Sequence, residues 1–215
     1  MKIIIKRELK FKIIVIEDST VGKSCLIKRA IRDKFYPKYY TTVLFDDLYY
    51  KTKIDDQDIK LQIWDTSGKE TYGSLTDNLY REAYLIMMVY SIDSRESFIH
   101  INKWLKEVKL QCDSDIKIIL IGNKSDLEGQ RKVSYEEAKK FKDENQMLYF
   151  EETSAKTGIN TKEVFIESAK LLYEEYKRYQ NRAESDKSVG DKYYFPPLPK
   201  LIKYDNHKPN IICFK

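Results

Sequence analysis

Four short, almost continuous apolar runs, Phe11 to Ile16, Leu85 to Tyr90, Lys117 to Ile121 and Met147 to Phe150, recur along the chain with helical patterns between them. A strand that is apolar on both sides has to be covered on both faces. Strands of that kind alternating with helices build a mostly parallel sheet between two helical layers. The first run, FKIIVI, is rich in β-branched residues and is followed by a polar turn and then by Leu26, Ile27, Ala30 and Ile31 at helical spacing, which reads as strand, loop, helix. Val43 to Lys53 and Ile59 to Trp64 flank the turn formers Asp55, Asp56, Gln57 and Asp58, a hairpin signature. The expectation is therefore an α/β fold in three layers, with a six-stranded sheet that is parallel except for one antiparallel edge strand.

The helices have recognisable starts. Asp93 with Glu96, and Ser134 with Glu137, have the spacing of a capping box, and Val133 and Ala138 flank the second of these as a hydrophobic staple. Phe98, Ile101, Trp104, Leu105 and Val108 form one apolar stripe, and Val164, Phe165, Ala169, Leu172 and Tyr176 another; both read as core faces. At 215 residues the chain accommodates one such domain and an appended segment. The helical pattern stops near Arg182. Beyond it lie Pro196, Pro197, Pro199 and Pro209 with several aromatics and a net charge of +3, so 182–215 is expected to be a flexible tail and 1–181 the folded domain.

Composition excludes several classes. The 39 basic residues barely exceed the 34 acidic ones, so a dedicated nucleic-acid binder is not indicated. The three cysteines, Cys25, Cys112 and Cys213, lack a metal-binding or disulfide spacing, which fits a reducing, cytoplasmic setting. No run approaches the ~20 apolar residues of a spanning helix, and the MKIIIKRELK start has too short an apolar stretch for a signal peptide.

Three loops carry chemistry. Glu17 to Ser24, EDSTVGKS, matches the phosphate-binding pattern GxxxxGKS at every fixed position except the first. In such a loop backbone N–H groups and a helix N-terminus face phosphates, Lys23 reaches the outer ones, and Ser24 offers a hydroxyl to Mg2+. Asn123-Lys124-Ser125-Asp126 follows a strand directly, and the carboxylate of Asp126 is suited to accept from the N1 and N2 donors of guanine, a pair adenine lacks. Glu152-Thr153-Ser154-Ala155-Lys156 follows the last strand and would bring backbone amides to the guanine O6. All three loops fall at the carboxyl ends of strands, where open parallel sheets bind ligands.

On these motifs, over roughly residues 10 to 180, the chain resembles the Ras superfamily of small GTPases, whose fold is a three-layer G domain. Ile63-Trp64-Asp65-Thr66-Ser67-Gly68, Tyr80-Arg81-Glu82-Ala83, Val89-Tyr90-Ser91 and Glu96-Ser97-Phe98 look most like the Rab branch, which controls vesicle traffic. The resemblance implies GTP and GDP with Mg2+, held by Ser19, Thr20, Val21, Gly22, Lys23, Ser24, Cys25, Phe35, Thr42, Asp65, Gly68, Asn123, Lys124, Asp126, Ser154, Ala155 and Lys156. Ser24, Thr42 and Asp65 would serve the metal, Gly68 the γ-phosphate, and Phe35 would stack edge-on against the base. It further implies switch segments at 36–47 and 69–79, exposing Tyr39, Tyr40, Phe45, Tyr72 and Leu75 to an exchange factor and effectors. A monomer on the cytosolic face of an endomembrane is expected, attached peripherally.

The departures are as informative as the matches. Lys69 stands where the family has the glutamine that orients the attacking water, and an ammonium is a donor only; slow hydrolysis is expected. Glu17 and Thr20 replace two loop glycines. A left-handed backbone at either costs about 1–2 kcal/mol, and the direction of the Glu17 carboxylate stays open. Leu44 replaces a glycine of switch I. Only Cys213 is available for lipidation, outside a CaaX frame and beside a weak basic patch. Two readings follow: a switch with slow hydrolysis, or a GTP-locked or nucleotide-free scaffold. His100 and His207 read as too isolated to form a catalytic pair.

Overall fold

The computed structural model describes residues 8–18, 20–35, 48–65, 80–112 and 115–185. Their order is β1 (Leu9–Glu17), α1 (Lys23–Arg32), β2 (Leu48–Ile54), β3 (Gln57–Asp65), β4 (Ala83–Ser91), α2 (Arg95–Gln111), β5 (Lys117–Asn123), a short 3-10 segment (Ser125–Gln130), α3 (Tyr135–Glu144), β6 (Tyr149–Glu152) and α4 (Glu163–Ser185). The six strands form one sheet in the order β2-β3-β1-β4-β5-β6. Only the β2–β3 pair is antiparallel, and β1 pairs in parallel with both β3 and β4. The chain therefore reverses its direction of travel across the sheet at β1, between β3 and β4, and a ligand crevice is expected at the carboxyl end of that strand.

Side-chain alternation along the central strands divides the core in two. Phe11, Ile13, Val15, Leu85, Met87 and Val89 point to one face, where α1 and α4 cover them with Leu26, Ile27, Val164, Phe165 and Leu172. Ile14, Ile16, Ile86, Met88 and Tyr90 point to the other, beneath α2 and α3 with Phe98, Trp104, Leu105 and Ala138. This is why the runs are apolar at every position rather than at alternate ones.

Several local expectations shift. The hairpin turn is confined to Asp55 and Asp56, with φ of 48° and 61°, and Ile54 pairs with Gln57. Gln57 and Asp58 are thus strand, because a two-residue turn of this hand matches the twist of the strands it joins and aspartate tolerates the left-handed backbone. The N-cap of α2 is Ser94, which accepts from the Ser97 N–H, rather than Asp93. Asp93 instead accepts from the Ser91 hydroxyl and lies 3.7 Å from the Lys124 ammonium. Ser134 caps α3 as expected, through the Glu137 N–H at 3.1 Å, and Val133 and Ala138 are buried beside it. Met147 is buried but precedes β6, which starts at Tyr149. The last helix continues through Ser185, past Arg182 where the apolar pattern ends. Val43 to Asp47, the start of the expected second strand, lies outside the described residues, as does 186–215.

One glycine in the sheet is required by packing. A Cβ on Gly122 would fall 2.7 Å from Tyr90 Oη and 2.9 Å from its Cζ, and Tyr90 is fully buried. Gly122→Ala is expected to cost about 1–3 kcal/mol through overpacking, read as a lower midpoint in urea unfolding. The double variant Gly122→Ala/Tyr90→Phe recovers only part of it, since removing the hydroxyl relieves the 2.7 Å contact but leaves Cζ at 2.9 Å.

Candidate functional site

The sheet brings the carboxyl ends of β1, β3, β5 and β6 to one edge, and with them the loops singled out in the sequence. At the end of β1 the chain turns through Thr20, at φ 76°, and Gly22, at φ 104° and ψ 21°, before α1 begins. Thr20 is thus the replaced glycine that takes the strained backbone, at about 1–2 kcal/mol. Glu17 is still extended strand. Gly22 has a second reason to be bare, because a Cβ there would meet Asn123 Nδ2 at 2.7 Å. No acidic residue occupies the first turn of α1, whose basic residues Arg29 and Arg32 sit in its last turn. Within the helix, then, no side chain offsets the positive N-terminus that an anion site requires.

Lys23 and Asp65 meet beneath this loop. The Lys23 ammonium lies 3.4 Å from Asp65 Oδ1, with both side chains 1% exposed, and the Ser24 hydroxyl donates to Asp65 Oδ2 at 2.8 Å. Asp65 Oδ1 is buried and, among the described residues, accepts no hydrogen bond, with the Lys23 ammonium as its charge partner. Burial pushes the Asp65 carboxyl above its ordinary value, with Lys23 and the Ser24 hydroxyl opposing the shift. A hydroxyl and a carboxylate with spare oxygen valence are hard oxygen donors, so Ser24 and Asp65 fit Mg2+.

The open question of Glu17 has a definite geometry. The residue is buried, and its Oε2 accepts the backbone N–H of Lys23 at 2.6 Å. Its carboxyl is pushed up to about 8, first by burial, against the pull of the Lys23 charge and that N–H, with Asp65 adding to the rise and Lys124 to the fall.

Asn123 ties the loops together. It is 1% exposed. Its Nδ2 donates to the Val21 carbonyl at 3.0 Å, and its Oδ1 accepts from Thr153 Oγ1 at 3.2 Å and from the Ala155 N–H at 3.4 Å. Lys124 turns the chain with φ 64°. Asp126 is oriented by two neighbours, the Ser154 hydroxyl donating to Oδ1 at 2.6 Å and the Lys156 ammonium 3.6 Å from Oδ2. Cys25 and Phe35 are half-buried against the core beneath α1 and α4, and burial pushes the Cys25 thiol up. Ser19, Thr42, Gly68, Lys69 and Cys213, and both switch segments, 36–47 and 69–79, lie outside the described residues.

Two contributors escape sequence reasoning. Thr153 is completely buried as the hydroxyl partner of Asn123. Asp18 is held from α2, by His100 Nδ1 and by Trp104 Nε1 at 3.1 Å. His100 and Trp104 share one helix face, and only the packing of α2 against the end of β1 gives that pair a partner.

A model of the Ras family matches residues 12–174, from β1 into α4. The chain belongs to the Ras family. A Ras-family domain is a small GTPase of the GTP-binding, switch-like kind, and the fold described above is its G domain. No described helix is long and apolar enough to cross a membrane.

Proposed function

We propose that this Ras-family chain is a Rab-like guanine-nucleotide switch acting in vesicle traffic, with slow GTP hydrolysis. The observation that carries the nucleotide reading is the convergence of Lys23, Ser24 and Asp65 beneath one loop with Asn123 and Asp126 beside it. The first group suits a metal-bound polyphosphate and the second a guanine edge. The Rab reading rests on the letters of Ile63 to Gly68, Tyr80 to Ala83 and Glu96 to Phe98.

In this reading Ser24, Asp65 and Thr42 hold Mg2+, which when bound neutralises charge on the phosphate oxygens. Lys23 compensates the outer phosphates, and the Gly68 N–H holds the γ-phosphate. Hydrolysis transfers the γ-phosphoryl group to water and is catalysed by positioning and charge. Lys69 supplies no acceptor to the attacking water, so the GTP state is long-lived. Exchange factor and effectors meet the switch segments 36–47 and 69–79, and lipidation of Cys213 gives peripheral membrane attachment.

The test is the nucleotide released from protein purified in Mg2+ buffer. GTP near one per protein is expected. GDP near one per protein overturns slow hydrolysis while keeping the switch. A specific observation favours the second reading, a scaffold without nucleotide: the Glu17 carboxylate already takes the Lys23 N–H. That reading predicts an empty protein that also fails to bind added guanine nucleotide.

A further inference from the structure

The first N–H of α1 is a donor that a phosphate-binding loop presents to its ligand, because it lies at the positive end of a helix and has no partner within that helix. In this chain it is already in use. Glu17 Oε2 accepts it at 2.6 Å from a position 7% exposed. Among the described residues the charged groups facing that carboxyl are Lys23 from the start of α1, Asp65 from the end of β3 and Lys124 after β5, two cations and one anion beside a helix N-terminus. A carboxyl oxygen has the acceptor chemistry of a phosphate oxygen in either protonation state, and its sign of charge when ionised. The contact spans six residues of the same loop, so the carboxylate is present at high effective concentration.

We propose that Glu17 is an internal ligand of the phosphate-binding loop, whose carboxylate occupies the Lys23 N–H in place of a nucleotide phosphate and must be displaced before a nucleotide can bind. The proposal deepens the guanine-nucleotide reading and rests on it. The same side chain that holds the Lys23 N–H weakens the nucleotide complex and speeds release. Thr20 adds backbone strain at φ 76°, whereas Glu17 takes up a donor that a phosphate would use, so Glu17 is the residue that sets affinity.

The experiment measures binding and dissociation of fluorescently labelled GDP in Mg2+ buffer for the full chain and for Glu17→Gly, Glu17→Ala and Glu17→Gln, with circular dichroism as the folding control. Glu17→Gly and Glu17→Ala are expected to bind at least tenfold more tightly than the wild type, mainly through slower dissociation. Glu17→Gln falls between, because its amide oxygen still accepts but carries no charge. Labelled GDP bound by the wild type and by every folded variant within twofold overturns the internal-ligand role and leaves the nucleotide reading standing. No binding by the wild type or by any folded variant overturns both.

Discussion

Asn123→Ala is expected to lower the stability of the domain by about 3 kcal/mol and its melting midpoint by about 6–12 °C. The substitution removes a side chain that is 1% exposed and orphans three groups at once, the Val21 carbonyl, the Thr153 hydroxyl and the Ala155 N–H. A buried polar group left without a partner costs about 1–3 kcal/mol. The three losses do not add fully because they share one side chain and the void admits water. Asn123→Asp divides the effect. Its carboxylate still accepts from Thr153 and Ala155 but cannot donate to Val21, and it sets a second oxygen against a carbonyl. Urea unfolding of both variants, compared with Thr153→Val, checks the assignment. A loss in Asn123→Ala no larger than in Thr153→Val would mean that the Val21 and Ala155 contacts contribute nothing. On the proposed reading, in which Val21 belongs to the phosphate end and Ala155 to the base end of one site, labelled nucleotide should be released faster from all of these variants.

Much of this arrangement is legible in the sequence because burial on both faces leaves a simple trace. Runs such as Phe11 to Ile16 and Leu85 to Tyr90 admit one reading, and each element found there extends the expected run by only a residue or two at either end. The sites follow from the strands, since a motif placed after a parallel strand is delivered to the same edge as its neighbours. What was not legible depends on choices between near-equal local partners. Asp93 and Ser94 are both good caps and adjacent in sequence; Ser94 takes the role because Asp93 is engaged by the Ser91 hydroxyl and Lys124. The Asp18 contact with His100 joins residues 82 apart, and no local pattern encodes it. Glu17 is the clearest case. A sequence shows that a carboxylate has replaced a glycine, but whether it turns to solvent or into the loop is decided by the donors waiting there.

Lys23→Met is expected to destabilise the nucleotide-free protein by about 3–5 kcal/mol at pH 8 and by at most about 1 kcal/mol at pH 5. Lys23 is the cation nearest two buried carboxyls, 3.4 Å from Asp65 Oδ1 and facing Glu17. Removing one partner of a buried ion pair leaves the other charge without compensation. Both carboxyls are already raised by burial, Glu17 to about 8, with Lys23 holding the shift down. Without Lys23 they rise further. The folded state then holds protons that the unfolded chain has released at any pH above the ordinary Glu and Asp values of 4.5 and 3.8. Stability therefore falls as pH rises through that window, by up to about 1.4 kcal/mol per unit for each proton retained, and returns on acidification as both groups become neutral. The wild type shows the same sign with a smaller slope, owing to Glu17 and Asp65. Urea midpoints at pH 5 and pH 8, with nucleotide and Mg2+ removed, measure the difference. Adding Glu17→Gln to Lys23→Met should restore part of the loss at pH 8 and almost none at pH 5. A deficit of equal size at both pH values would assign the loss to the packing of the lysine stem rather than to its charge.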